Sequence, residues 1–106
     1  MISFRFTLND SFKTYSTHPI TVPKGRVDYG VLRKEELDRG DLTIVFPRGE
    51  RVRGHMYHGR AGYGPYYQVR TYTDQLIPAY LKDRDKVLVI LLKDGSEKYA
   101  ILELRS

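Results

Sequence analysis

Residues Val87 to Leu104 read VLVILLKDGSEKYAILEL. The first six are a continuous apolar run, the pattern of a strand covered on both faces. Asp94-Gly95 follows, the strongest short hairpin signal in the chain. Lys98 to Leu104, KYAILEL, then pairs back. One end of the molecule is therefore a β-hairpin, and the question is how many more strands join it.

The upstream sequence supplies them. Ile2 to Leu8 alternates apolar and polar residues, as a strand with one buried face does. Ile20-Thr21-Val22 alternates again and ends at Pro23-Lys24-Gly25. Asp41 to Phe46 is a strand, and Pro47 to Glu50 a turn. Arg51 to His58 alternates, with Val52 and Met56 facing one way and Arg51, Arg53, His55 and Tyr57 the other. Gly59 to Pro65 reads as a loop and Tyr66 to Tyr72 as the return strand. Asp28 to Leu37 is the best helix candidate, capped by Asp28 and with Gly40 past its end. Thr73 or Asp74 can cap a short helical turn reaching Leu81. Seven short strands in so small a chain close most economically into a barrel, which removes exposed edges. The expected fold is mainly β (α+β by element count): a seven-stranded open or pseudo β-barrel with one or two short helices. Residues 1–106 are expected to form one domain, with Leu104-Arg105-Ser106 either a domain boundary or simply where the sequence stops.

Composition narrows the function classes. At 41% hydrophobic and 29% charged, the 106-residue chain reads as globular rather than disordered. There is no cysteine, which removes disulfides and zinc-finger sites and fits a reducing compartment. No run approaches the roughly 18 apolar residues of a membrane helix, and because Met1 leads straight into a strand pattern no signal peptide is expected. The net charge is +5, with eleven arginines among the 18 cations. Arginine's planar fork suits phosphate and guanine, so the charge points towards nucleic acid.

Catalytic patterns are missing. Nucleases commonly pair carboxylates with a lysine two residues after the last acid, and no Asp or Glu here has one. His55 and His58 are three apart, which puts them on opposite faces of a strand, and His18 precedes a proline. No metal site and no cofactor is expected. Glu35 and Glu36 are adjacent and diverge on a helix, as solvated charges do. No nucleophile elbow or phosphate-binding Gly-rich loop is present.

Two decorated loops remain. Leu8 to Pro19, LNDSFKTYSTHP, spends about ten residues where hairpins commonly use two to five. It carries Asn9, Asp10, Ser11, Lys13, Thr14, Tyr15 and His18. The second loop carries Arg60 and Tyr63, with Tyr57, Tyr66 and Gln68 at its stem. Such side chains can read base edges in a major groove about 12 Å wide. Lys24, Arg26, Arg51 and Arg53 are placed to hold phosphates and set the register. Tyr67, Tyr72, Tyr80 and Tyr99 are expected in the core.

RFTLNDSFKTYSTHPITVPK, residues 5–24, resembles the start of the DNA-recognition domain of EcoRII-type restriction endonucleases. The matching positions are Asn9, Asp10, Thr14, His18 and Ile20 through Lys24. Residues 45–92 are similar to the plant B-three-type domain, with Leu81 to Val87 matching its Leu-Lys-x-Gly-Asp-x-Val element. Arg84 stands where glycine is usual. The resemblance implies a DNA-binding pseudobarrel that grips duplex DNA with two arms, about 9–18 and 57–67. It implies a non-catalytic recognition or effector module, with cleavage supplied by a fused or associated nuclease domain. The implied setting is the cytoplasm of a bacterium or archaeon. Two other readings stand beside it. One is an OB-like barrel that binds RNA or single strands by tyrosine stacking. The other is a non-catalytic protein-interaction barrel.

Overall fold

The computed structural model describes residues 1–105, so Ser106 and the part of the expected boundary that falls on it lie outside the described residues. Seven strands make one sheet: β1 (Ile2–Thr7), β2 (Ile20–Thr21), β3 (Asp41–Val45), β4 (Arg51–Ala61), β5 (Gly64–Thr71), β6 (Lys86–Asp94) and β7 (Glu97–Arg105). Their order is β1-β6-β7-β3-β4-β5-β2, and the sheet curls nearly closed into a barrel. β3 runs parallel to β7, and the other pairings are antiparallel. β1 and β2 are the two edges, so the seam of the barrel lies between them. The fold is mainly β, as the alternation predicts.

The core follows the period-two pattern. Val87, Val89 and Leu91 of β6 are fully buried, with Ala100 of β7 and Val69 of β5. The expectation of two covered faces for β6 holds on one side. Leu88, Ile90 and Leu92 point outwards and are half-buried. They lie opposite Glu103, Ile101 and Tyr99 of β7, so cross-strand neighbours shield them in place of a second layer. The β6–β7 turn is Gly95-Ser96, one residue beyond the Asp-Gly pair, with Gly95 at φ +64°.

Two short helices complete the chain, α1 (Asp10–Thr14) and α2 (Tyr29–Lys34). Asp28 caps α2 as expected, accepting from the Gly30 N–H at 2.8 Å. The helix stops three residues before Leu37. Glu36 turns left-handed at φ +59°, and the Leu37 N–H reaches back to the Leu32 carbonyl at 3.0 Å, closing a Schellman turn. Leu32 and Leu37 are thereby both buried. Lys93 donates to Glu36 at 2.9 Å and holds its carboxyl below the usual carboxylate range.

Three expectations about the connecting segments change. Residues 8–19 contain α1 rather than an open loop. Residues 59–65 are mostly strand, because β4 and β5 extend to a tight turn at Gly62-Tyr63. No helix forms between Thr73 and Leu81, where Pro78 lacks an N–H and pushes Ile77 away from helical geometry. Of the four tyrosines assigned to the core, Tyr67 is 2% exposed and Tyr80 packs against its border. Tyr72 and Tyr99 instead sit outside with carboxylate partners, Asp41 and Glu97. Each phenol is held above its ordinary pKa chiefly by that hydrogen bond.

Candidate nucleic-acid interface

The first arm is a shaped wall. Asn9 is extended (φ −131°) and accepts from the Phe12 N–H at 2.9 Å, which caps α1. Asp10 stands in the first turn, where a negative charge complements the helix dipole. Phe12 is 1% exposed and anchors the helix into the barrel. The Lys13 ammonium donates to the Leu81 carbonyl. Thr14 returns its hydroxyl to the Asp10 carbonyl at 2.8 Å. His18 adopts φ +43°, and its Nδ1 donates to the Phe12 carbonyl at 2.6 Å. The Thr17 carbonyl accepts from the Thr71 N–H at 2.8 Å, tying the arm to β5. Asn9, Lys13, Thr14 and His18 thus build the arm, and Ser11, Tyr15 and Thr17 are its outward polar groups.

The cap offers a check. Asn9→Ala is expected to cost about 1 kcal/mol of stability, a loss of about 4–8 °C in a thermal melt, and Asn9→Ser most of it less. A melt unmoved by Asn9→Ala would mean that α1 needs no cap.

The second arm is the β4–β5 hairpin. Gly59 lies opposite Tyr66, and a β-carbon on Gly59 would come within 2.4 Å of the Tyr66 ring and 2.6 Å of the Tyr57 ring. Glycine is therefore what lets both rings lie down over the strand. Tyr57, Tyr66 and Tyr63 form a ladder with centroid spacings of 6.0 and 6.2 Å. Tyr63 at the tip is 70% exposed. Desolvation, and then Tyr57, hold the Tyr66 phenol above its ordinary pKa, so it stays a neutral donor at physiological pH.

Between the arms is a groove of about 390 Å³, lined by Asn9, Ser11, Tyr15, Thr17, Pro19, Thr21, Tyr66, Gln68 and Arg70. Its floor is built from the outward faces of β5 and β2. The Arg70 guanidinium lies 3.5 Å above the Tyr57 ring centroid. Its Nε and Nη2 both donate to Gln68 Oε1, at 2.9 and 2.8 Å. Gln68 Nε2 donates in turn to Thr21 Oγ1 at 3.0 Å. The chain Tyr57–Arg70–Gln68–Thr21 fixes a cation's plane before any ligand arrives. Among the described residues, Arg70 has no carboxylate partner.

Six of the expected base-reading residues meet here: Asn9, Ser11, Tyr15, Tyr66 and Gln68 line the groove, and Tyr57 supports it. Tyr63 stands at its rim. Arg60 lies opposite Pro65 on the other face of the hairpin from Gly59 and Tyr57. Lys24 reaches the hairpin tip near Gly64. Arg53 leans to Asp41 at 3.9 Å and over Tyr72, and Arg51 starts the same strand, so both lie along the barrel away from the groove. Arg26 is separated from Lys24 and lines a different depression. Arg70 and Thr21 were missed. The signal for Arg70 was its even spacing from Tyr66 and Gln68 on one strand, which places all three on one face.

Fold and groove together define a mainly β pseudobarrel with a walled, polar, arginine-floored cleft. No family model matches the chain, and no curated protein matches its sequence. Among the described residues, no helix is long and apolar enough to cross a membrane.

Proposed function

We propose that the chain is a sequence-specific double-stranded DNA-binding module that enters the major groove with α1 and the β4–β5 hairpin. The observation that carries this reading is Arg70, stacked on Tyr57 and oriented by Gln68 on the floor of a groove between two arms. A planar, pre-aimed guanidinium with free N–H edges suits guanine O6 and N7 or a phosphate. Ser11, Tyr15, Thr17 and Tyr66 add hydroxyls at the walls. Lys24 beside the hairpin tip and Arg60 on the hairpin's other face serve as phosphate contacts. In line with the resemblance to restriction-endonuclease recognition domains, the module supplies recognition or effector binding, and cleavage belongs to another domain.

Titration with duplex DNA at several salt concentrations tests this. Each phosphate neutralised contributes about −0.9 to the log–log slope, so three to six contacts give a slope of about −3 to −5. A flat slope would end the proposal. A second reading has its own support, because Tyr57 and Tyr66 lie on a sheet face as a stacking platform for single strands requires. Competition separates the two: duplex is expected to displace a labelled duplex better than single-stranded DNA or RNA of the same length. Preference for the single strand would favour the second reading.

A further inference from the structure

A second concave surface opens where β1 leaves the barrel. Arg5, Phe6 and Thr7 of β1, Lys86 and Val87 of β6, Arg105 of β7 and Arg26 from the β2–α2 connection line a depression of about 550 Å³. Thr7, Lys86 and Arg105 form a row across three paired strands, which sets their side chains on one face. Four cations from four separate segments therefore share one depression. Among the described residues, Arg5, Arg26 and Lys86 have no carboxylate partner, and Arg105 meets Glu103 at 3.2 Å. A lone charge on edge strand β1 would serve to discourage strand pairing. That purpose does not call for Arg26, Lys86 and Arg105 as well. Like charges gathered in one concavity repel one another and are relieved by an anion.

The position gives the anion a meaning. β1 and β2 flank the α1 arm in sequence, so the seam depression and the groove are reached from the two ends of that arm. A third hollow lined by Thr7, Asn9, Asp83, Arg84 and Lys86 lies between them, sharing Asn9 with the groove and Thr7 and Lys86 with the depression. An element inserted in a major groove has a phosphate strand on either side of it. We propose that the Arg5–Arg26–Lys86–Arg105 depression binds phosphate groups, and specifically those of the DNA strand that flanks α1 on the side away from Arg70. The DNA assignment rests on the reading of the groove given above. Binding of phosphate as such does not.

The test compares two triple variants of equal charge change, Arg5→Ala/Arg26→Ala/Lys86→Ala and Arg33→Ala/Lys34→Ala/Arg39→Ala, all at exposed positions. Duplex affinity is measured across a salt series on both. The first is expected to make the salt slope shallower by about 0.9–2.7 while preserving the ranking of duplex sequences, and the second to leave both unchanged. An unchanged slope in the first variant, with duplex bound normally by the parent, overturns the inference and leaves the groove reading standing. Equal losses in both variants overturn it too, as an effect of net charge alone. Inorganic tripolyphosphate is the second probe, followed by amide shifts. If the parent ignores duplex yet tripolyphosphate shifts the amides of residues 5–7 and 86, the groove reading fails and the depression is a site for a free phosphate ligand. Failure of both probes overturns the inference.

Discussion

Phe12→Ala is expected to lower the unfolding free energy by about 3–5 kcal/mol, the usual cost of emptying a buried aromatic site. A domain of this size holds about 5–15 kcal/mol in all, so the variant would be marginal at best. The reason lies in what Phe12 anchors. It is 1% exposed, its N–H meets the Asn9 cap, and its carbonyl receives His18 Nδ1. The side chain thus joins the arm to the core, and the cap and the histidine bond depend on its place. Phe12→Leu keeps the site filled and is expected to retain more than half of the lost stability. Chemical denaturation of the three proteins is the check. A loss below about 1 kcal/mol for Phe12→Ala would mean that the arm is held by its hydrogen bonds and not by its anchor.

Arg70→Ala is expected to weaken cognate duplex binding by about 1–3 kcal/mol, roughly five- to 150-fold, with little change in stability. Arg70→Lys is expected to restore little of it. A lysine ammonium is a point charge that cannot lie flat on Tyr57 while meeting Gln68 edge-on. Gln68→Ala is expected to behave as a milder version, because it releases the guanidinium without removing it. Loss that is uniform over all duplex sequences would assign Arg70 to phosphate, and loss confined to the cognate site would assign it to a base edge. Affinity unmoved by Arg70→Ala would remove the groove floor from the interface.

Much of this architecture was readable from alternation. β1, β4 and β5 bury one face at period two, which leaves a clear imprint on sequence, whereas β6 was legible as a strand from its apolar run but its single buried face was not. The Asp28 cap was readable because its side chain acts locally. α1 was not readable, since five residues cannot display a helical period. The arm's decisive contacts, Lys13 to Leu81 and Thr17 to Thr71, join segments far apart in the chain. The same is true of the site. Tyr57, Tyr66 and Gln68 could be grouped by neighbourhood and strand parity. The separation of Arg26 from Lys24 could not, because it depends on how the β2–α2 connection crosses the seam. Polarity alone also overcounted: Asn9, Thr14 and His18 look like reading side chains, yet they hydrogen-bond the arm's own backbone, and Lys13 ties the arm to Leu81.

The central claim is that the groove between α1 and the β4–β5 hairpin is the face that meets nucleic acid. Amide chemical-shift mapping of the isotopically labelled chain, titrated with duplex DNA, tests it directly. The largest shifts are expected at Ser11, Tyr15, Thr17, Thr21, Tyr63, Tyr66, Gln68 and Arg70, with the outward residues Ile90, Leu92 and Ile101 unmoved. Shifts centred on those β6–β7 residues while the groove amides stay still would contradict it.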